Sequence, residues 1–138
     1  MPDPALVARV KELLALAKSG KVEESYAGYR ALFQSPEFSG YTVEDRRAAI
    51  KLVVNAKVPP NKPAPYIVES YRAAMKPLED MIGEQGHPAD FELLGICCVF
   101  VGEDARAGEL FRTGLRLERE RNPQSDLCGS LMKWVAAV

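Results

Sequence analysis

The sequence predicts an all-α protein, and three observations on its 138 residues carry that reading. Apolar residues recur at spacings of three and four along most of the chain, whereas strand-like alternation is almost absent. Capping residues, glycines and prolines punctuate the periodic stretches at helix starts and stops. One run, Ile96 to Val101, could pass for a buried strand, but Phe91, Leu94, Gly95 and Cys98 already keep helical spacing before it is finished. Only Gly95 could turn the chain between Glu92 and Ile96, so the run reads as a helix apolar on several sides, covered by neighbours on two.

Seven helices follow in order. Leu6, Val10, Leu13, Leu14 and Ala17 place a first amphipathic helix over residues 4 to 19, with Asp3 as its cap, Pro4 in its first turn and Gly20 ending it. A second carries Val22, Tyr26, Tyr29, Leu32 and Phe33 on one side and stops at "SPEFSG". Thr42 caps a third, which turns Val43, Ile50, Val53 and Val54 inward and ends before Pro59 and Pro60. The segment "VPPNKPAP", residues 58 to 65, holds four prolines and favours polyproline II.

A fourth helix runs from about Pro65 to Glu84, and Pro77 inside it should kink or end it, because its ring removes the hydrogen bond to Ala73. His87 caps the fifth helix, with Pro88 at its first position. β-Branched residues in this helix cost tenths of a kcal/mol each, roughly, against about 1.5–3 kcal/mol gained per large side chain buried. The sixth runs from Asp104 to about Arg121. The seventh, capped by Ser125, has Leu127, Leu131, Trp134 and Val138 on one stripe.

Composition narrows the function classes. The apolar fraction of 47% and charged fraction of 27% are those of an ordinary globular domain, and one domain is expected at this length. A net charge of −1 offers no basic excess for a phosphate backbone, so nucleic acid is not an expected partner. No stretch reaches the roughly 20 apolar residues of a membrane span. "MPDPALVARV" has no signal-peptide pattern, and the odd cysteine count, Cys97, Cys98 and Cys128, fits a reducing cytosol rather than a disulfide framework. Neither a Cys/His metal spacing nor a phosphate loop, dinucleotide fingerprint or serine elbow is present, so no metal, cofactor or catalysis is expected.

The chain also repeats itself. "VEESYAGYRALF" (22 to 33) and "IVESYRAAMKPL" (67 to 78) share Glu-Ser-Tyr, placing Ser25 and Ser70 in corresponding positions, and Ala107 in "DARAGELF" takes the same small position. A period near 35 to 45 residues is that of a helical-hairpin array. "FELLGICCVFVGEDARAGELFRTGL" resembles a tetratricopeptide repeat: Phe91, Leu94, Gly95 and Cys98 match its first helix, and Gly102, Ala107, Phe111 and Gly114 match its turn and second helix, with the closing proline displaced to Pro123. The first hairpin is a weaker copy, in which Leu13, Leu16, Gly20, Ser25, Tyr29 and Leu32 fit and Pro36 closes, while Arg9 and Glu12 stand where large apolar residues are usual. The middle one departs furthest, through its proline loop and Pro77. The resemblance implies a right-handed stack of three hairpins, about 4–36, 42–85 and 87–122, with a capping helix at about 125–137. It also implies a concave groove, lined by the first helix of each hairpin, that binds a peptide or protein.

For that groove the candidates are Arg47, Lys51 and Asn55, one polar stripe on the third helix that could hold a carboxylate, and Glu92, Ile96 and Val99 on the fifth. A solvated helix face is the plainer reading of the first three, and core packing that of Ile96 and Val99. Val7, Val10 and Ile96 stand where a complete carboxylate clamp would need polar residues. The proline segment is a spacer or a recognition element. Helix seven either docks on helix six or forms a homodimer patch. His87, with Asp90 three residues on, is a cap before it is a base, and Cys97 and Cys98 are small core residues on different sides of a helix. The expected function is a non-enzymatic cytoplasmic interaction module. The alternatives are a small secretion-type chaperone, a structural homo-oligomer through helix seven, and an enzyme using His87.

Overall fold

A computed structural model describes residues 2–54 and 63–138. Asn55 and most of the proline-rich segment therefore lie outside the described residues. Within them the chain is all-α. Its helices are α1 (Pro4–Lys18), α2 (Val22–Gln34), α3 (Val43–Lys51), α4 (Pro65–Glu84), α5 (Pro88–Phe100), α6 (Asp104–Arg121) and α7 (Asp126–Ala137), with a 3₁₀ helix over Pro36–Gly40. No strand occurs among the described residues, and Ile96 to Phe100 are helical.

The starts of these helices use the expected chemistry. Asp3 Oδ1 accepts the backbone N–H of Ala5 at 2.9 Å and of Leu6 at 3.3 Å. Thr42 Oγ1 accepts from Asp45, and Ser125 Oγ accepts from Cys128. Two turns have identical hydrogen bonding. After α1, Gly20 adopts φ +87°, and the N–H groups of Gly20 and Lys21 donate to Ala17 and Leu16. After α5, Gly102 adopts φ +84°, and the N–H groups of Gly102 and Glu103 donate to Val99 and Cys98. Both are Schellman turns, in which the left-handed residue favours glycine.

Helices pack as α1 on α2, α2 on α4, α4 on α5, α5 on α6 and α6 on α7. The middle pair differs from the other two, since α3 shares little surface with α4 and α2 meets α4 directly. The serines of the repeated Glu-Ser-Tyr mark two of these crossings. Ser25 Oγ donates to the Leu13 carbonyl of α1 at 2.7 Å, and Ser70 Oγ donates to the Tyr26 carbonyl of α2 at 3.1 Å. Ser70 Oγ also lies 2.9 Å from the Tyr66 carbonyl of its own helix, so its single proton is shared between the two carbonyls.

Glycines mark crossings as well. A Cβ on Gly28 would overlap the Leu13 side chain, and one on Gly95 would lie 2.5 Å from Phe111 Cε1. One on Gly114 would lie 3.0 Å from Phe91 Cβ. Phe111, fully buried, stacks on Trp134 with ring centroids 5.1 Å apart, which seats α7 on α6. Leu131 and Trp134 thus face the core of their own chain, with Leu127 partly buried beside them, while Val138 is 41% exposed and leaves the expected stripe. Tyr71 and Phe100 stack at 3.8 Å between α4 and α5. Each of these large side chains contributes about 1.5–3 kcal/mol on burial.

α4 runs through Pro77 to Glu84, the bounds the sequence predicts, and Pro77 is itself buried. One departure concerns the break after α2. Phe38, in the stretch expected only to break the chain, is 1% exposed and packs against Phe33 at a centroid distance of 5.4 Å.

Candidate functional site

The expected groove residues fall into three groups. Arg47 is committed: its Nε and Nη2 donate to Asp90 Oδ1 and Oδ2 at 2.7 and 2.9 Å. Asp90 is fully buried in the first turn of α5, and this fork ties α3 to α5 and raises the Arg47 pKa. Ile96 is fully buried and Val99 packs partly against the core, so Ile96 leaves the set of binding candidates. The reason is that α5 is covered by α4 on one side and α6 on the other.

Lys51 and Glu92 remain. Lys51 is exposed one turn beyond Arg47. Glu92 is half-buried on α5, near Lys51 of α3 and Ser130 of α7, and its Oε2 is buried without a hydrogen-bond partner. Burial raises the Glu92 pKa above its ordinary 4.5, and the Ser130 hydrogen bond and the Lys51 charge oppose that rise. A buried, unsatisfied carboxylate oxygen costs free energy unless something donates to it.

His87 caps α5 as expected, its Nδ1 accepting the Ala89 N–H at 3.0 Å. That bond places the ring proton on Nε2, so Arg121 Nη1, 3.2 Å from Nε2, sets one donor against another. Desolvation first, then the charges of Arg47 and Arg121, lowers the His87 pKa. Asp90 is not an orienting partner for the ring, since both its oxygens are taken by Arg47.

Three buried charges escape the apolar pattern. Arg46, 3% exposed, donates to Glu84 at 2.7 Å; Asp90 is held as above; Glu118, 2% exposed, accepts from Ser125 Oγ at 2.5 Å and from Arg121 at 3.3 Å. Their signal was legible: each is a charged residue in the apolar register of its helix, Arg46 between Val43 and Ile50, and Glu118 three residues after Leu115. Ser125 both caps α7 and binds Glu118 of α6, which fixes the angle between these helices.

The cysteines are all buried and free, and burial pushes the Cys98 thiol up to about 11 and the Cys97 thiol up further. Among the described residues no group of His, Cys, Asp and Glu could hold a metal ion, and no helix is long and apolar enough to cross a membrane. Phe33, Phe38, Arg46, Ala73 and Pro77 line a pocket of about 290 Å³. A broader groove of about 520 Å³ lies along α6 and α7.

Compared with protein-family models, curated proteins and solved structures, the chain matches none of them.

Proposed function

We propose that this chain is a non-enzymatic interaction module that binds a peptide or protein on the face shared by α3, α5 and α7. The observation that carries this reading is Glu92 Oε2, buried and unpartnered on that face beside exposed Lys51. An N–H or ammonium group of a partner would satisfy the oxygen and lower its desolvation cost. The tetratricopeptide-like residues of α5 and α6 support a hairpin scaffold of the kind that carries such faces. Arg47 belongs to the frame of this site and not to its binding surface.

The test is quantitative affinity capture with the wild-type chain, Glu92→Gln and Lys51→Glu. A partner enriched by wild type and lost with either variant, while the helical signal and Tm stay unchanged, supports the reading. Equal enrichment by all three chains overturns it. A small secretion-type chaperone is a special case of the same reading. A homo-oligomer through α7 would have to use Met132 and Val138, since Leu131 and Trp134 are spent on α6. Catalysis through His87 would require its ring to leave the cap.

A further inference from the structure

Arg112, Arg116 and Arg119 stand at i, i+4 and i+7 on α6, which puts them on one stripe. All three line the groove along α6 and α7, where the floor is Leu115, 7% exposed, and half-buried Val135. Glu120 is the single carboxylate in that lining. Among the described residues none of the three guanidinium groups forms an ion pair, although every other arginine except Arg30 does. Glu109 and Glu120 lie within one helical turn of Arg112 and Arg116, yet no pairing forms. A chain of net charge −1 therefore concentrates unneutralised cations over an apolar floor on one face.

From this charge pattern we propose that the α6/α7 groove is a docking surface for an acidic amphipathic helix of a partner protein. A helix laid along α6 presents side chains every three or four residues, a repeat of about 5–6 Å that matches the arginine stripe. Its carboxylates meet guanidinium forks that bind them bidentately, and its apolar stripe covers Leu115 and Val135. The apolar floor separates this occupant from nucleic acid, whose phosphates and sugars gain nothing by displacing water from it. This surface is distinct from the face that holds Glu92, which lies on α5 beside α3 and α7.

The test is fluorescence anisotropy with a labelled helical peptide of about 14 residues, four helical turns, carrying Glu at i, i+4 and i+7 and Leu on the adjoining stripe. The wild-type chain binds it, added salt weakens binding, and R112E/R116E/R119E weakens it about tenfold or more. R112Q/R116Q/R119Q falls between the two, and Glu92→Gln binds as wild type does. Replacing the three Glu of the peptide by Gln abolishes binding. The proposal is overturned if the peptide fails to bind, or if the triple charge reversal leaves its affinity unchanged. It is equally overturned if a DNA duplex competes the peptide off at physiological salt, or if sedimentation shows the groove already filled by a second copy of the chain.

Discussion

Arg47 of α3 grips Asp90 of α5 through two parallel hydrogen bonds of 2.7 and 2.9 Å, with the Asp90 carboxylate wholly buried. α3 shares little surface with α4, and this fork and the Arg46–Glu84 pair add to the burial of Val43, Ala49 and Ile50 in holding it in place. Removing one partner of a buried pair strands the other charge. Arg47→Ala should therefore lower stability by about 3–5 kcal/mol. Denaturant unfolding checks the value. A Lys at 47 should recover only part of it, because an ammonium cannot reproduce the fork.

Glu92 sets an opposite expectation. Its folded pKa lies above the ordinary 4.5 because burial disfavours the ionised form. The folded chain therefore holds a proton more tightly than the unfolded chain, and stability falls as pH rises from about 4.5 through the raised value. Glu92→Gln should remove that fall and match or exceed wild-type stability at pH 7. Melting curves of both chains across mildly acidic to neutral pH decide it. A variant that is less stable than wild type at pH 7 would show that Ser130 and Lys51 stabilise the carboxylate by more than burial costs it.

At His87 the sign reverses. The folded pKa is depressed below 6.5, so the unfolded chain binds protons more readily, and stability is lost as pH falls through 6.5 toward the folded value. Protonation also destroys the cap, since Nδ1 can no longer accept the Ala89 N–H. His87→Asn should keep the cap and abolish this acid-side loss, whereas His87→Ala should cost about 1 kcal/mol at neutral pH. NMR titration of the single imidazole checks the pKa directly.

Two glycines should respond oppositely to the same change. Gly95→Ala forces a methyl to within 2.5 Å of Phe111 Cε1, at the most extensive helix interface among the described residues. A loss of about 1–3 kcal/mol is expected. Gly129→Ala in α7 meets nothing within 4 Å and should gain roughly 0.5–1 kcal/mol from helix propensity alone. Equal responses in a thermal melt would refute the close approach of α5 and α6.

Much of the scaffold was legible because its determinants are local. Asp3, Thr42, His87 and Ser125 cap helices through side chains two or three residues from the N–H they bind. Gly20 and Gly102 turn the chain because only glycine enters the left-handed region freely. The small residues Ser25, Ser70, Gly95 and Gly114 could be picked out by their period and by their likeness to a known repeat. Gly28, which admits Leu13 in the same way, carried no comparable mark.

The candidate site was less legible. In the sequence Arg47, Lys51 and Asn55 look equivalent, four residues apart on one helix. In the folded chain Arg47 is bound to an acid 43 residues away, whereas Lys51 remains exposed. Ile96 and Glu92 share a helix, yet one is sealed between α4 and α6 and the other faces α3 and α7.

Helix content, caps and turns are thus written into short stretches of chain, because the energies that set them act over a few residues. Which group each buried charge pairs with, and which face is left open, was decided only by tertiary structure. Pairing of buried charges depends on distances between elements far apart in sequence, and residue type alone does not encode those distances.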